Sequence, residues 1–260
     1  GFVLKFNSSC VRQWATYYGA AWMGSGGRGI TTDPSGNIFV IGTTEASTMP
    51  TANPGGGAYY DGTNTLINTS AFLAKFNAST LALQWGTYFG QGGADRGYSI
   101  ASDASGNIFA AVTNNGGGMP TANPGGGAYF QGANAGNMDL FIAKFNSSLG
   151  LVWGTYYGGS LDDGGTYNIG LTTDALGDVF LCGYSQSTDF PTYQSAACAY
   201  YSSSSVGYVV LAQFNSTGVR QWATYYEGMF ATSVAVDNTS SCVYFTGEWQ
   251  AAGYALVNPG

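Results

Sequence analysis

The side chains able to do chemistry in this 260-residue chain are few. It has no histidine, so a Ser-His or Cys-His nucleophile pair cannot be assembled, and the usual imidazole ligand of zinc or copper is missing. Carboxylates remain. Asp162-Asp163, Glu227 and Asp237 are the candidates for a paired acid and base. Glycosidase-type hydrolysis would need two of them about 5–10 Å apart across a cleft. Asp162 and Asp163, however, stand in the Gly-rich connector 160–165, where Asp is ordinary turn chemistry. Asp33-Pro34-Ser35-Gly36-Asn37 and Asp103-Ala104-Ser105-Gly106-Asn107 offer closely spaced oxygen ligands. A tight turn explains the same residues, with Asp capping its own backbone and Gly taking the positive-φ position. We therefore expect no catalytic residue, no metal ligand and no cofactor, and the chain does not read as an enzyme.

The elements that would position any site come from a repeat. Trp14-Ala15-Thr16-Tyr17-Tyr18 returns as Trp85-Gly86-Thr87-Tyr88-Phe89, Trp153-Gly154-Thr155-Tyr156-Tyr157 and Trp222-Ala223-Thr224-Tyr225-Tyr226, at Trp spacings of 71, 68 and 69 residues. A fixed period of this kind marks a repeat architecture. Three further short runs recur in each period. They are 29–33, 99–103, 170–174 and 233–237; then 37–42, 107–112, 178–183 and 242–247; then 72–76, 141–145 and 210–214, with 2–6 matching the third. Each is rich in β-branched or aromatic residues between Gly, Asn, Asp and Ser, and so is expected to be a strand. No long segment of helical period competes. Ile38, Phe39, Val40 and Ile41 are consecutive, as in a sheet covered on both faces. Four-stranded sheets stacked on both faces and repeated along the chain are propeller blades. The small residues of the first strand suit a crowded centre, and the Trp-Tyr strand suits the rim.

The expected fold is thus an all-β propeller in one domain, residues 1–260, with four four-stranded blades at about 29–89, 98–157, 168–226 and 232–260 plus 1–18. The last blade is shared, its first two strands C-terminal and its last two N-terminal. The alternative is an open array whose half-blades pair with another chain, head to tail. Cys10 follows the third strand of the shared blade and Cys242 begins its second, so a Cys10–Cys242 disulfide would lock the ring. Cys182 and Cys198 lie within one blade and form the second expected pair. An even number of cysteines in two sensible pairs suggests an oxidising, extracytoplasmic compartment.

Composition narrows the partners. Charged residues are 8% of the chain and the net charge is −7, which argues against nucleic acid and anionic membranes. No apolar run approaches the ~18 residues of a membrane span. With 45% hydrophobic residues the chain is not disordered, and a weakly charged surface favours self-association. The start at Gly1, without Met, suggests a mature product or a segment of something larger.

Phe-Leu-Ala-Lys-Phe-Asn (72–77), Gln-Trp-Gly-Thr-Tyr-Phe-Gly (84–90), Gly-Ile-Thr-Thr-Asp-Pro-Ser-Gly-Asn-Ile-Phe-Val (29–40), Met-Pro-Thr (49–51) and Pro-Gly-Gly-Gly-Ala-Tyr (54–59) together resemble the bacterial β-propeller repeat called SBBP. Asp189-Phe190-Pro191-Thr192 fits the same loop. The resemblance runs through all four periods. It implies a propeller of secreted or surface-anchored bacterial proteins and carries no common activity. The period near 70 is longer than usual for the family, and four repeats are fewer than the seven blades of its name.

The extra length lies in the segments 43–71, 113–139 and 184–208, and 49–59 recurs unchanged as 119–129. Such loops should crowd one face of the disc. Packing or assembly is the favoured role, with Tyr59, Tyr60, Tyr129 and Phe130 as candidate contacts. Six N-x-Ser/Thr triplets begin at Asn7, Asn68, Asn77, Asn146, Asn215 and Asn238. Turn chemistry is the simpler reading and glycosylation the alternative. The expected function is an extracellular structural or adhesive propeller, a self-assembling surface or filament building block with copies of itself as partners. A lectin-like carbohydrate-binding module is the second reading.

Overall fold

The computed structural model describes residues 1–20, 24–64, 69–90, 92–165, 169–196, 200–204, 207–238 and 242–249. All regular structure among them is β. Three periods each form one antiparallel four-stranded sheet with strands in chain order. Blade I is β3 (Ser25–Thr32), β4 (Ile38–Thr44), β5 (Ser70–Phe76) and β6 (Leu83–Phe89). Blade II is β7 (Asp95–Ser102), β8 (Ile108–Asn115), β9 (Met138–Phe145) and β10 (Leu151–Tyr157). Blade III is β11 (Gly170–Thr173), β12 (Val179–Tyr184), β13 (Val209–Phe214) and β14 (Arg220–Tyr226). Two hairpins flank them, β1 (Phe2–Phe6) with β2 (Arg12–Tyr17) and β15 (Phe230–Asp237) with β16 (Cys242–Glu248).

The two-sided apolar strands are explained by stacking. Phe39, Ile41 and Leu73 of blade I pack on Ala110, Val112, Phe141 and Phe145 of blade II. The opposite face of blade I, with Val40, Phe72 and Phe76, packs on Val3 and Tyr18 of the first hairpin. Blade II meets blade III through Phe109, Leu140, Ile142, Leu181 and Phe214. Blade III covers Ala231 and Val234 of the last hairpin. The first strands crowd together, β3 on β7, β7 on β11 and β11 on β15. A Cβ on Gly29 would stand 3.0 Å from the Tyr98 carbonyl oxygen and 3.1 Å from the Ile100 nitrogen. A larger residue there would push two blades apart.

Three expectations are not met in full. The first strands begin earlier than the sequence pattern suggested, because β3, β7 and β15 each contain a register step that hides their opening residues. The shared fourth blade is not assembled: β1–β2 and β15–β16 are separate two-stranded sheets. Neither expected disulfide is present, since Cys10 is an exposed thiol and Cys182 a buried one. Cys198 lies outside the described residues. Burial in the core pushes the Cys182 thiol up to about 12, so it acts as a small apolar side chain.

Candidate functional site

The long segments do not stand off the disc. Each folds back along the fourth strand of its own blade as a strap. Ala52, Ala122 and Tyr193 form isolated antiparallel bridges with Gly86, Gly154 and Ala223. Further along, the N–H groups of Tyr88, Tyr156 and Tyr225 donate to the carbonyls of Asp61, Gln131 and Ser202. An outer strand left bare would offer unpaired N–H and C=O groups to any passing strand. The strap occupies them.

The Trp-x-Thr-Tyr signature is the side-chain half of the same attachment. The Trp85 and Trp153 indoles donate to the carbonyls of Tyr59 and Tyr129 at 2.8 and 3.0 Å. The hydroxyls of Thr87, Thr155 and Thr224 accept the N–H of Asp61, Gln131 and Ser202, each at 2.8 Å. The phenol oxygens of Tyr88, Tyr156 and Tyr225 accept the N–H of Met49, Met119 and Phe190 at 2.9, 3.0 and 2.9 Å. Three side chains in a row therefore bind three points of the strap.

Each of the first two straps also crosses to the next blade. The Tyr59 N–H donates to the Leu149 carbonyl and the Tyr129 N–H to the Gly218 carbonyl, both at 2.9 Å. Leu149 and Gly218 occupy left-handed positions, with φ of 68° and 85°, in the turn between the third and fourth strands. The Tyr59 ring fills the seam between Phe89 and Phe145, with centroids at 5.5 and 6.0 Å. Tyr129 does the same between Tyr157 and Phe214, beneath the Arg220 guanidinium at 4.7 Å. Burial raises both phenols, Tyr129 to about 12. Tyr59 and Tyr129 are thus wedges between blades, a packing role. Tyr60 and Phe130, one residue on, are exposed, and the Tyr60 hydroxyl donates to Thr51 Oγ1 at 3.2 Å.

The third strap ends at Tyr200, half exposed, with its ring 5.5 Å from Tyr226. The positions of the first hairpin that correspond in sequence to Phe145 and Leu149 are Phe6 and Cys10. Cys10 already has the required left-handed turn, at φ 59°, and Phe6 is 51% exposed.

The remaining candidates have local roles. The side-chain oxygens of Asn7, Asn77, Asn146 and Asn215 accept backbone N–H groups two to four residues ahead. Asn238 accepts the Ala175 N–H of the neighbouring blade at 2.8 Å. Asn68 lies outside the described residues. Asp33, Asp103 and Asp174 cap their own turns through Asn37, Asn107 and Asp178. Asp163 is fully buried and holds the Gly159 N–H and the Ser187 hydroxyl, so it faces no cleft with Asp162. Glu227 and Asp237 lie at opposite ends of β15. Three carboxylates of the blades, Asp95, Asp139 and Asp163, are fully buried. Burial is the first cause that lifts them, to about 7, 6 and 6. Asp95 and Asp163 share one position, ten residues after the blade Trp.

Stacked antiparallel four-stranded sheets, each strapped to the next, define the propeller-repeat class of all-β proteins. A family model described as a beta-propeller repeat, SBBP, matches residues 13–47. The chain therefore carries the SBBP-type repeat; β3 and β4 lie within the match, as does all of β2 but Arg12. A search of curated proteins found no match.

Proposed function

We propose that the protein is an extracellular structural or adhesive propeller module that assembles with copies of itself and is not an enzyme. The observation that carries this reading is where the long loops go. In each of the three blades the loop is tied down along the outer strand, and in two of them it is also wedged into the seam. Loops used in this way make a rigid disc and leave little to form a cleft. Exposed Phe2, Leu4, Phe6 and Tyr17 on the first hairpin add apolar surface for association.

The proposal includes a four-bladed ring in which the two hairpins join. Equivalence with blade I sets the register, with Val243 opposite Phe6, Tyr244 opposite Lys5 and Phe245 opposite Leu4. Lys5 would then lie over Tyr244 as Lys75 lies over Phe39 at 5.3 Å and Lys144 over Phe109 at 5.2 Å. The third strap would close onto Phe6 and Cys10. Joining within a chain gives a ring, and joining between chains gives a head-to-tail filament.

Electron microscopy and sedimentation of the unreduced protein test the assembly. Regular filaments or sheets support it, and monomeric particles at high concentration end it. Oxidation should link Cys10 to Cys242, and peptide mapping of monomer and multimer bands separates the ring from the filament. A lectin-like module is the second reading, favoured by Tyr60 and Phe130 on matching loops. Glycan binding that disappears in Tyr60→Ala and Phe130→Ala would support it.

A further inference from the structure

β3, β7 and β15 each hold one residue more than the stretch of neighbouring strand they pair with. The register steps between Gly27 and Gly29, between Gly97 and Ser99, and between Ala231 and Ser233. The extra residues are Arg28, Tyr98 and Thr232, and Ile169 has the same position just before β11. A bulge takes a side chain out of the strand's alternation and re-aims it. All four residues line one cavity of about 440 Å³ at the centre of the blades, within the ~300–1,000 Å³ of small-ligand sites. A repeated scaffold thus places a guanidinium, a phenol, an aliphatic chain and a hydroxyl around one opening.

The wall favours negative charge. No acidic residue lines the cavity. The Arg28 guanidinium lies 4.8 Å above the centre of the Tyr98 ring, which keeps it flat and leaves its N–H edge available. The Arg96 charge also reaches Tyr98. Other cations have local partners: Lys75 meets Asp33 at 4.0 Å, Lys144 donates to the Ser216 carbonyl, and Arg220 stacks on Tyr129 and Tyr193. Each first strand is the edge of its sheet and so turns backbone N–H and C=O groups toward the axis. Several of those carbonyls are already covered. Ser102 Oγ donates to Thr32 O at 2.7 Å, Thr173 Oγ1 to Ser102 O at 2.9 Å and Ser99 Oγ to Leu171 O at 3.3 Å. The Ser99 hydroxyl also accepts the Leu171 N–H at 3.2 Å, so at that point of the wall one acceptor and one donor are taken together.

We propose that this cavity binds a small oxyanion ligand, the carboxylate, sulfate or phosphate of a monosaccharide-sized molecule, held by the Arg28 fork with Thr232 and strand-edge N–H groups around it. The site is independent of assembly and goes beyond it. Calorimetry and thermal shift on the intact protein would use sodium glucuronate, sodium sulfate and inorganic phosphate at fixed ionic strength, with glucose as the neutral probe. At least one oxyanion should bind saturably and glucose should not. A preference for glucuronate would indicate a sugar acid, and one for phosphate a phosphorylated ligand; both support the site. Arg28→Gln should weaken binding about tenfold or more, the loss of a charge-assisted pair. Arg12→Gln, exposed on β2, should bind as the parent does. Absence of binding at millimolar concentrations, or undiminished binding by Arg28→Gln, overturns the proposal.

Discussion

Asp95 shows how one residue sets a condition on the whole fold. It is fully buried, takes a hydrogen bond from the Asn114 amide on one oxygen and has no partner on the other. Burial without a cation lifts it to about 7 from 3.8. The fold therefore prefers the protonated acid. Its contribution to stability is complete below about pH 4 and is lost as pH climbs toward 7. Each pKa unit is worth about 1.4 kcal/mol, so Asp95 alone accounts for a few kcal/mol. Asp139 and Asp163 act in the same direction. The protein should melt several degrees higher near pH 5 than near pH 8. Asp95→Asn should raise the melting temperature at the higher pH and flatten the profile. Equal pH slopes for parent and variant would show that Asp95 is not responsible. None of this was legible in the sequence, where Asp95 looks like any other Asp beside glycines.

At the scale of the element, the strap decides how blades hold together. Trp153→Phe keeps the aromatic core but removes the indole donor to the Tyr129 carbonyl, and should cost about 1–2 kcal/mol in urea unfolding. Tyr129→Ala empties the seam between Tyr157 and Phe214 and should cost about 3 kcal/mol or more. If Tyr129→Ala proved no worse than a surface change, the wedge account would fail. The strands were legible because Val, Ile and Phe runs end at Asp and Gly turns, and those are local signals. The strap was not, because its bonds join Tyr59 to Trp85 and to Leu149, far along the chain. The bulges at Arg28 and Tyr98 were hidden for a related reason, since one added residue is visible only against a paired strand. The Asn-Ser turns lay between these cases, with the Asx geometry implied by residue type alone.

For the whole molecule, the Trp period made the three four-stranded sheets legible, but joining the end hairpins would pair residues some 240 apart in sequence, such as Phe6 and Val243. Deleting residues 1–18 should lower the melting temperature by removing Val3 and Tyr18 from the face of blade I, and by more if the hairpins join; unchanged melting would count against both contacts.

The strap also bears on how such a chain could have grown. Every complete period carries its own cover for the outer strand, and two of the three also show the attachment to the following blade. Copying one unit of about 70 residues would thus add a blade with its seam already solved, and no new surface would have to be invented. Lineages of these proteins could gain or lose blades by unequal recombination, with closure of the disc as the only constraint on their number.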